Sequence, residues 1–108
     1  MGYDISFKAK LEGVNQWINV GDDWISQSSN AGNMIKEVCG SYPSEWNGKT
    51  GKEMYPVLIH GAFLLLSEHS KYRCFEQGYC TVETAAYFLE KVANICKQFP
   101  TAILEVDY

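Results

Sequence analysis

Tyr3, Ile5, Phe7, Ala9 and Leu11 alternate with Asp4, Ser6, Lys8 and Lys10, the period of two that marks a strand with one buried face. Glu12-Gly13 follows as a turn signal, and Val14, Gln16, Ile18 and Val20 then alternate with Asn15, Trp17 and Asn19, which predicts a hairpin. Gly21-Asp22-Asp23 is expected to end that second strand, leaving residues 24–27 as a short third one. Beyond Ser28, Ser29 and Asn30, which are N-cap residues, the pattern changes period. Ala31, Met34, Ile35, Val38 and Cys39 recur at helical spacing up to Gly40.

Residues 40–52 read as loop, with Tyr42 and Trp46 embedded in it. The next helix carries Met54, Val57, Leu58, Gly61, Ala62, Leu65 and Leu66 on one stripe, widened by Tyr55, Ile59 and Phe63. Apolar on most of its circumference, it is predicted to be the central buried helix. Pro56 requires either a start near Met54 or a bent first turn. Residues 67–80 form a second long connection holding His69, Tyr72, Phe75 and Tyr79. A last helix over residues 81–98 turns Ala85, Phe88, Leu89, Val92, Ile95, Cys96 and Phe99 inward and is stopped by Pro100. The β-branched, apolar tail of residues 101–106 is a strand able to join the N-terminal hairpin. Strands at both chain ends and helices between predict an α+β domain: a small antiparallel sheet, the hairpin plus the C-terminal strand, covered on one face by two long helices and one short helix.

A single domain over residues 1–108 fits the size of the chain, which buries roughly two thirds of its unfolded surface. Nine basic against thirteen acidic side chains leave a net charge of −4. That charge disfavours nonspecific nucleic-acid binding, and solubility alone accounts for it. The longest apolar run is too short to cross a bilayer, and residues 1–11 lack the apolar core of a signal peptide. Met1-Gly2 followed by Ser6 satisfies the letters of a myristoylation signal, but the same residues already alternate as a strand. Of the four cysteines, Cys39 and Cys96 fall on apolar helical faces and read as core. Cys74 and Cys80, with five residues between them and His69 nearby, have spacing unlike that of structural zinc sites. No cofactor or metal is expected.

Gly48-Lys49-Thr50 ends like a phosphate-binding loop. Such a loop needs a glycine where this chain has Pro43, and a strand before it, so a nucleotide-hydrolysing reading fails. Thr50 and Glu53 instead fit a capping box, in which each side chain takes the other residue's backbone N–H. That leaves Trp46, Asn47, Gly48, Lys49, Thr50 and Lys52 with two readings: a helix cap only, or a ligand site in which Trp46 stacks on a base and Lys49 and Lys52 neutralise phosphate at the helix start. His60 reads as a hydrogen-bonded structural histidine and Asp22-Asp23 as a turn pair. No catalytic constellation accompanies them.

The opening Tyr3-Asp4-Ile5-Ser6-Phe7-Lys8, the segment Gly48-Lys49-Thr50-Gly51-Lys52-Glu53 leading into a helix that keeps Pro56, and the closing helix-strand unit resemble small proteins encoded by bacterial viruses and prophages. Trp46-Asn47-Gly48-Lys49 is also similar to a tetrapeptide of small viral proteins that sequester cyclic nucleotide immune signals. The resemblance implies residence in the cytoplasm of a bacterial host and a non-enzymatic role as an inhibitor of host antiviral defence. Its partner would be a nucleotide-type signal or a defence protein such as a nuclease of the CRISPR type. A phage structural or assembly role and a homo-oligomer stay open beside these.

Overall fold

A computed structural model describes every residue except Met1, Leu11, Glu12, Val14, Asn15 and Tyr79, and the backbone alone of Asp22, Asp23 and Trp24. Most of the expected hairpin turn and the aromatic at 79 therefore lie outside the described residues, whereas Gly2, the acceptor position in the myristoylation letters, pairs with Ser28 as part of a strand, the reading preferred above. The chain forms an α+β domain with extents of 49 × 26 × 19 Å. Strands β1 (Gly2–Lys10), β2 (Trp17–Ser28) and β3 (Ile103–Asp107) make one antiparallel sheet in the order β2-β1-β3. Helices α1 (Gly32–Cys39), α2 (Gly51–Ser67), α3 (His69–Tyr72) and α4 (Val82–Gln98) follow in the middle of the chain.

The alternation in β1 becomes the sheet's inner face. Ile25, Ile5 and Val106 lie side by side in one row across the three strands, and Val20, Phe7 and Leu104 in the next. Ile5, Phe7 and Leu104 are wholly buried. On the other face Lys8 pairs with Glu105 at 2.6 Å, a half-exposed contact that contributes little.

Three expectations change here. Gly21-Asp22-Asp23 does not end β2. The strand absorbs the extra residues in a bulge, because pairing skips from Ile5↔Ile25 to Phe7↔Val20, and bulges sharpen a strand's twist without breaking it. Gly21 suits that place on two counts: its φ is +73°, and a Cβ would stand 2.9 Å from the side chain of Ile95 on α4.

The second change concerns which helix is central. α4 buries Val82, Ala85, Ala86, Phe88, Leu89, Val92, Ala93, Ile95 and Cys96, whereas α2 leaves Ile59, Phe63 and Leu66 exposed. Small residues decide this. A helix lined with alanines is approached from two sides, and α4 touches both β2 and α2.

Third, α2 starts at Gly51 and not near Met54, so Pro56 lies inside the helix. It removes the N–H that would reach the Lys52 carbonyl, a loss softened by its exposed position. The connection after α2 is also ordered locally: α3 buries Tyr72, and Arg73 bridges Glu76 and Glu83 at 2.7 and 2.8 Å.

Candidate functional site

Residues 41–54 run from a 3₁₀ turn at Pro43–Trp46 to the first turn of α2. Tyr42 caps the 3₁₀ turn, its backbone N–H donating to the Glu45 carboxylate at 2.7 Å. The turn drives Trp46 inward. The indole is 0% exposed, and its Nε1–H donates to Ser41 Oγ at 2.9 Å. A base cannot stack on it, which corrects the expectation that Trp46 is a ligand platform.

Asn47 and its neighbours run along the outer edge of β3. The Val106 N–H donates to Asn47 Oδ1 at 2.9 Å and the Leu104 N–H to the Lys49 carbonyl at 2.8 Å. In return Gly48 N–H donates to Leu104 O and Gly51 N–H to Ala102 O, both at 2.8 Å. Thr50 forms a bridge with Ile103. Gly48 adopts a φ of +84°, which permits the strap to turn there. The segment therefore seals one edge of the sheet, the task that edge strands otherwise leave undone.

The remaining donors are equally occupied. Lys49 N–H goes to Trp46 O, Lys52 N–H to Pro100 O and Met54 N–H to Thr50 O. The expected capping box forms in full: Thr50 N–H donates to Glu53 Oε1, and Glu53 N–H to Thr50 Oγ1, each at 3.2 Å. Every backbone N–H from residue 48 to 54 thus has a partner within the chain. The Thr50 backbone N–H and hydroxyl hold the Glu53 carboxyl below its usual range, with Lys49 adding to the effect. That carboxylate is the anion at this helix start, in the position a phosphate would need. Lys49 lines a cleft of about 210 Å³ with Cys39, Gly40, Ser41, Glu53, Met54 and Val57, and Lys52 is exposed. Of the six expected ligand residues, Trp46, Asn47, Gly48 and Thr50 are committed to the fold, and the two lysines are left without an amide nest to complete.

Two other surfaces stand out. On α2, Pro56, Ile59, Phe63 and Leu66 form an outward ridge, with Ile59 38%, Phe63 64% and Leu66 51% exposed. Sequence reasoning placed Leu66 on the core stripe and widened that stripe with Ile59 and Phe63, and the structure turns all three outward; their spacing of four and three was the available signal. His60 lies exposed on the same helix, and no described residue hydrogen-bonds its ring, against the expectation of a hydrogen-bonded structural histidine. The second surface is a cleft of about 340 Å³ between β2 and α4, lined by Ile25, Ser26, Gln27, Thr84, Tyr87, Phe88 and Lys91. Tyr87, 66% exposed, stood off the inward stripe of α4, and that displacement was its only sign. Gln27 spans the mouth: its Oε1 accepts the Ser28 N–H at 2.8 Å and its Nε2 donates to Thr84 O at 3.3 Å. The two surfaces are independent, since Leu89 and Cys96 face the α2 glycines while Thr84, Tyr87 and Lys91 lie half a turn around α4.

All four cysteines are free thiols, and among the described residues no three of His, Cys, Asp and Glu gather as a metal site. Burial pushes the Cys39 and Cys96 thiols up to about 12 and raises that of Cys80; Cys74 is exposed. Since the thiolate is the nucleophile, native protein treated with iodoacetamide at neutral pH should carry label on Cys74 alone, and urea should open the other three. Rapid native labelling of Cys39 or Cys96, read by peptide mass spectrometry, would contradict this packing.

No protein family, curated protein or solved structure matches the chain.

Proposed function

We propose that the chain is a non-enzymatic binding protein of a bacterial virus or prophage that blocks a host defence protein by contact, taking an extended segment of that partner along β2. The observation that carries this reading is the unequal treatment of the two sheet edges. β3 is sealed by residues 47–51, whereas among the described residues no strand pairs with the outer side of β2. An open edge offers main-chain hydrogen bonds to an added strand, and an adjacent pocket offers side-chain selection. Past the bulge, residues 25–28 run beside the α4 cleft, where Ile25 and Phe88 give an apolar floor and Tyr87 an exposed ring of the type enriched in interface anchors. An added strand would take over the Ser28 N–H that the Gln27 amide occupies in the free chain. A net charge of −4 favours a partner with a basic surface, as a nucleic-acid-cutting defence enzyme has.

Tagged protein expressed with candidate defence systems tests the reading, with the captured partner identified by mass spectrometry and its affinity measured on purified material. Tyr87→Ala should weaken that affinity about 10-fold or more, and Ser26→Lys, a charge placed on the open edge, should do the same. Lys49→Ala should leave it unchanged. A partner held equally well by the Tyr87 and Ser26 variants would sink the proposal. Cyclic dinucleotides should not move the melting temperature; a shift abolished by Lys49→Ala would revive nucleotide capture at the 46–52 strap, since a ligand at a hundred times its Kd adds about 2.7 kcal/mol.

A further inference from the structure

The outer ridge of α2 belongs to neither the sealed strap nor the β2 cleft. Pro56, Ile59, Phe63 and Leu66 follow each other at steps of three, four and three, the seam spacing of paired helices. All four point away from the core that Met54, Leu58, Gly61, Ala62 and Leu65 help to build. We propose that a second copy of this chain covers the ridge, with the two α2 helices antiparallel about a twofold axis near residue 61.

The spacing is self-complementary in that arrangement. Antiparallel seams set each first-position residue against a fourth-position residue of the other helix, so Pro56 meets Leu66 and Ile59 meets Phe63, each twice. A twofold contact requires such reciprocity, residue i on j and j on i. Charge selects the direction. Lys52 and Glu53 stand exposed at the start of the ridge, and Glu68 and His69 stand exposed just past its end. The antiparallel pairing carries Lys52 of one copy to the far end of the other copy's ridge, beside the turn that holds the Glu68 carboxylate. A parallel pairing would set Lys52, four residues before Pro56 on the same line, against Lys52 of the other copy, and like charges there repel. The size of the ridge fits a reversible dimer. α2 has 17 residues and is about 25 Å long and about 10 Å wide, so its outer face offers a few hundred Å², well below the roughly 800 Å² per partner of an ordinary stable interface. The β2 edge stays open in the dimer, because it lies on the other side of α4.

Sedimentation equilibrium of the full chain from about 1 µM to about 500 µM should show the mass rising from 12.2 kDa toward twice that value. Phe63→Glu should hold the protein at monomer mass throughout, with its circular dichroism and melting temperature at dilution unchanged. Lys52→Glu and Glu68→Lys should each weaken association several-fold, and the two together should restore it. A chain monomeric at every concentration overturns the proposal, as does a dimer indifferent to Phe63→Glu. So does a charge pair whose combined reversal is worse than either single change, because the helices would then not run antiparallel in this register. A host protein captured through Phe63 by an otherwise monomeric chain would also overturn it, while leaving the β2 cleft reading to its own test at Tyr87.

Discussion

Trp46→Ala is expected to lower stability by about 3–5 kcal/mol, the range for truncating a large buried aromatic side chain. For a domain near 100 residues this corresponds to a Tm lower by roughly 15–30 °C. The side chain is fully buried, and it is the largest of the wholly enclosed groups among the described residues. Its loss removes contacts with the core, leaves a void that the 3₁₀ turn cannot collapse to fill, and strands the Ser41 hydroxyl that accepts the indole N–H. Because Asn47 follows directly and holds Val106, the strap should loosen from β3 as well, exposing amides there to hydrogen exchange. Trp46→Phe restores most of the volume without the donor and should cost less than half as much. A base-stacking tryptophan on an open loop would behave differently: its removal would spare the fold and abolish only ligand binding. An unchanged thermal melt for Trp46→Ala would therefore overturn the placement of this residue and with it the sealed edge on which the proposed function rests.

What the sequence made legible were the features written in short-range order. The alternation over residues 3–10 placed Ile5 and Phe7 on the inner face, and Thr50 with Glu53 announced the cap that opens α2. The tail's β-branched run joined the sheet on the free side of β1. Features fixed by long-range contact escaped. Nothing within four residues of Trp46 says that Asn47 will meet Val106, 59 positions away, and so the segment read as an exposed loop. The exchange of roles between α2 and α4 has a similar origin. Periodicity counts how much of a helix is apolar, but which of two apolar helices lies in the middle depends on how closely its neighbours approach, and that is set by alanines and glycines with little hydrophobic weight. The bulge in β2 was hidden because Gly21-Asp22-Asp23 carries the composition of a turn, and only pairing with β1 on both sides shows that the strand resumes. The outward ridge of α2 was present in the letters, yet an apolar residue at helical spacing reads as core unless something shows the core to be already full.

Gly51→Ala is the substitution for which local preference and packing give opposite signs. Alanine is favoured over glycine in a helix by about 1 kcal/mol, and Gly51 has no left-handed φ that only glycine would tolerate. By that reasoning the change stabilises. At this position, however, a Cβ would stand 2.7 Å from the Phe99 carbonyl oxygen and 3.1 Å from both Cα and the carbonyl oxygen of Cys96. These are backbone atoms at the end of α4, and they cannot rotate away. Either α2 or the last turn of α4 must move, which strains Gly51 N–H to Ala102 O and Lys52 N–H to Pro100 O, the bonds that tie the helix start to the turn leading into β3. Overpacking of this kind costs about 1–3 kcal/mol, enough to reverse the helical gain. Gly61→Ala supplies the comparison: its nearest obstacles are the Cys39 Sγ and the side chains of Leu89 and Val38, which can shift by rotation, so its cost should be the smaller of the two. Chemical denaturation of both variants decides between the effects. A Gly51→Ala protein as stable as the parent would mean that α2 and α4 do not meet backbone to backbone, and the geometry that pins the strap against β3 would fall with that contact.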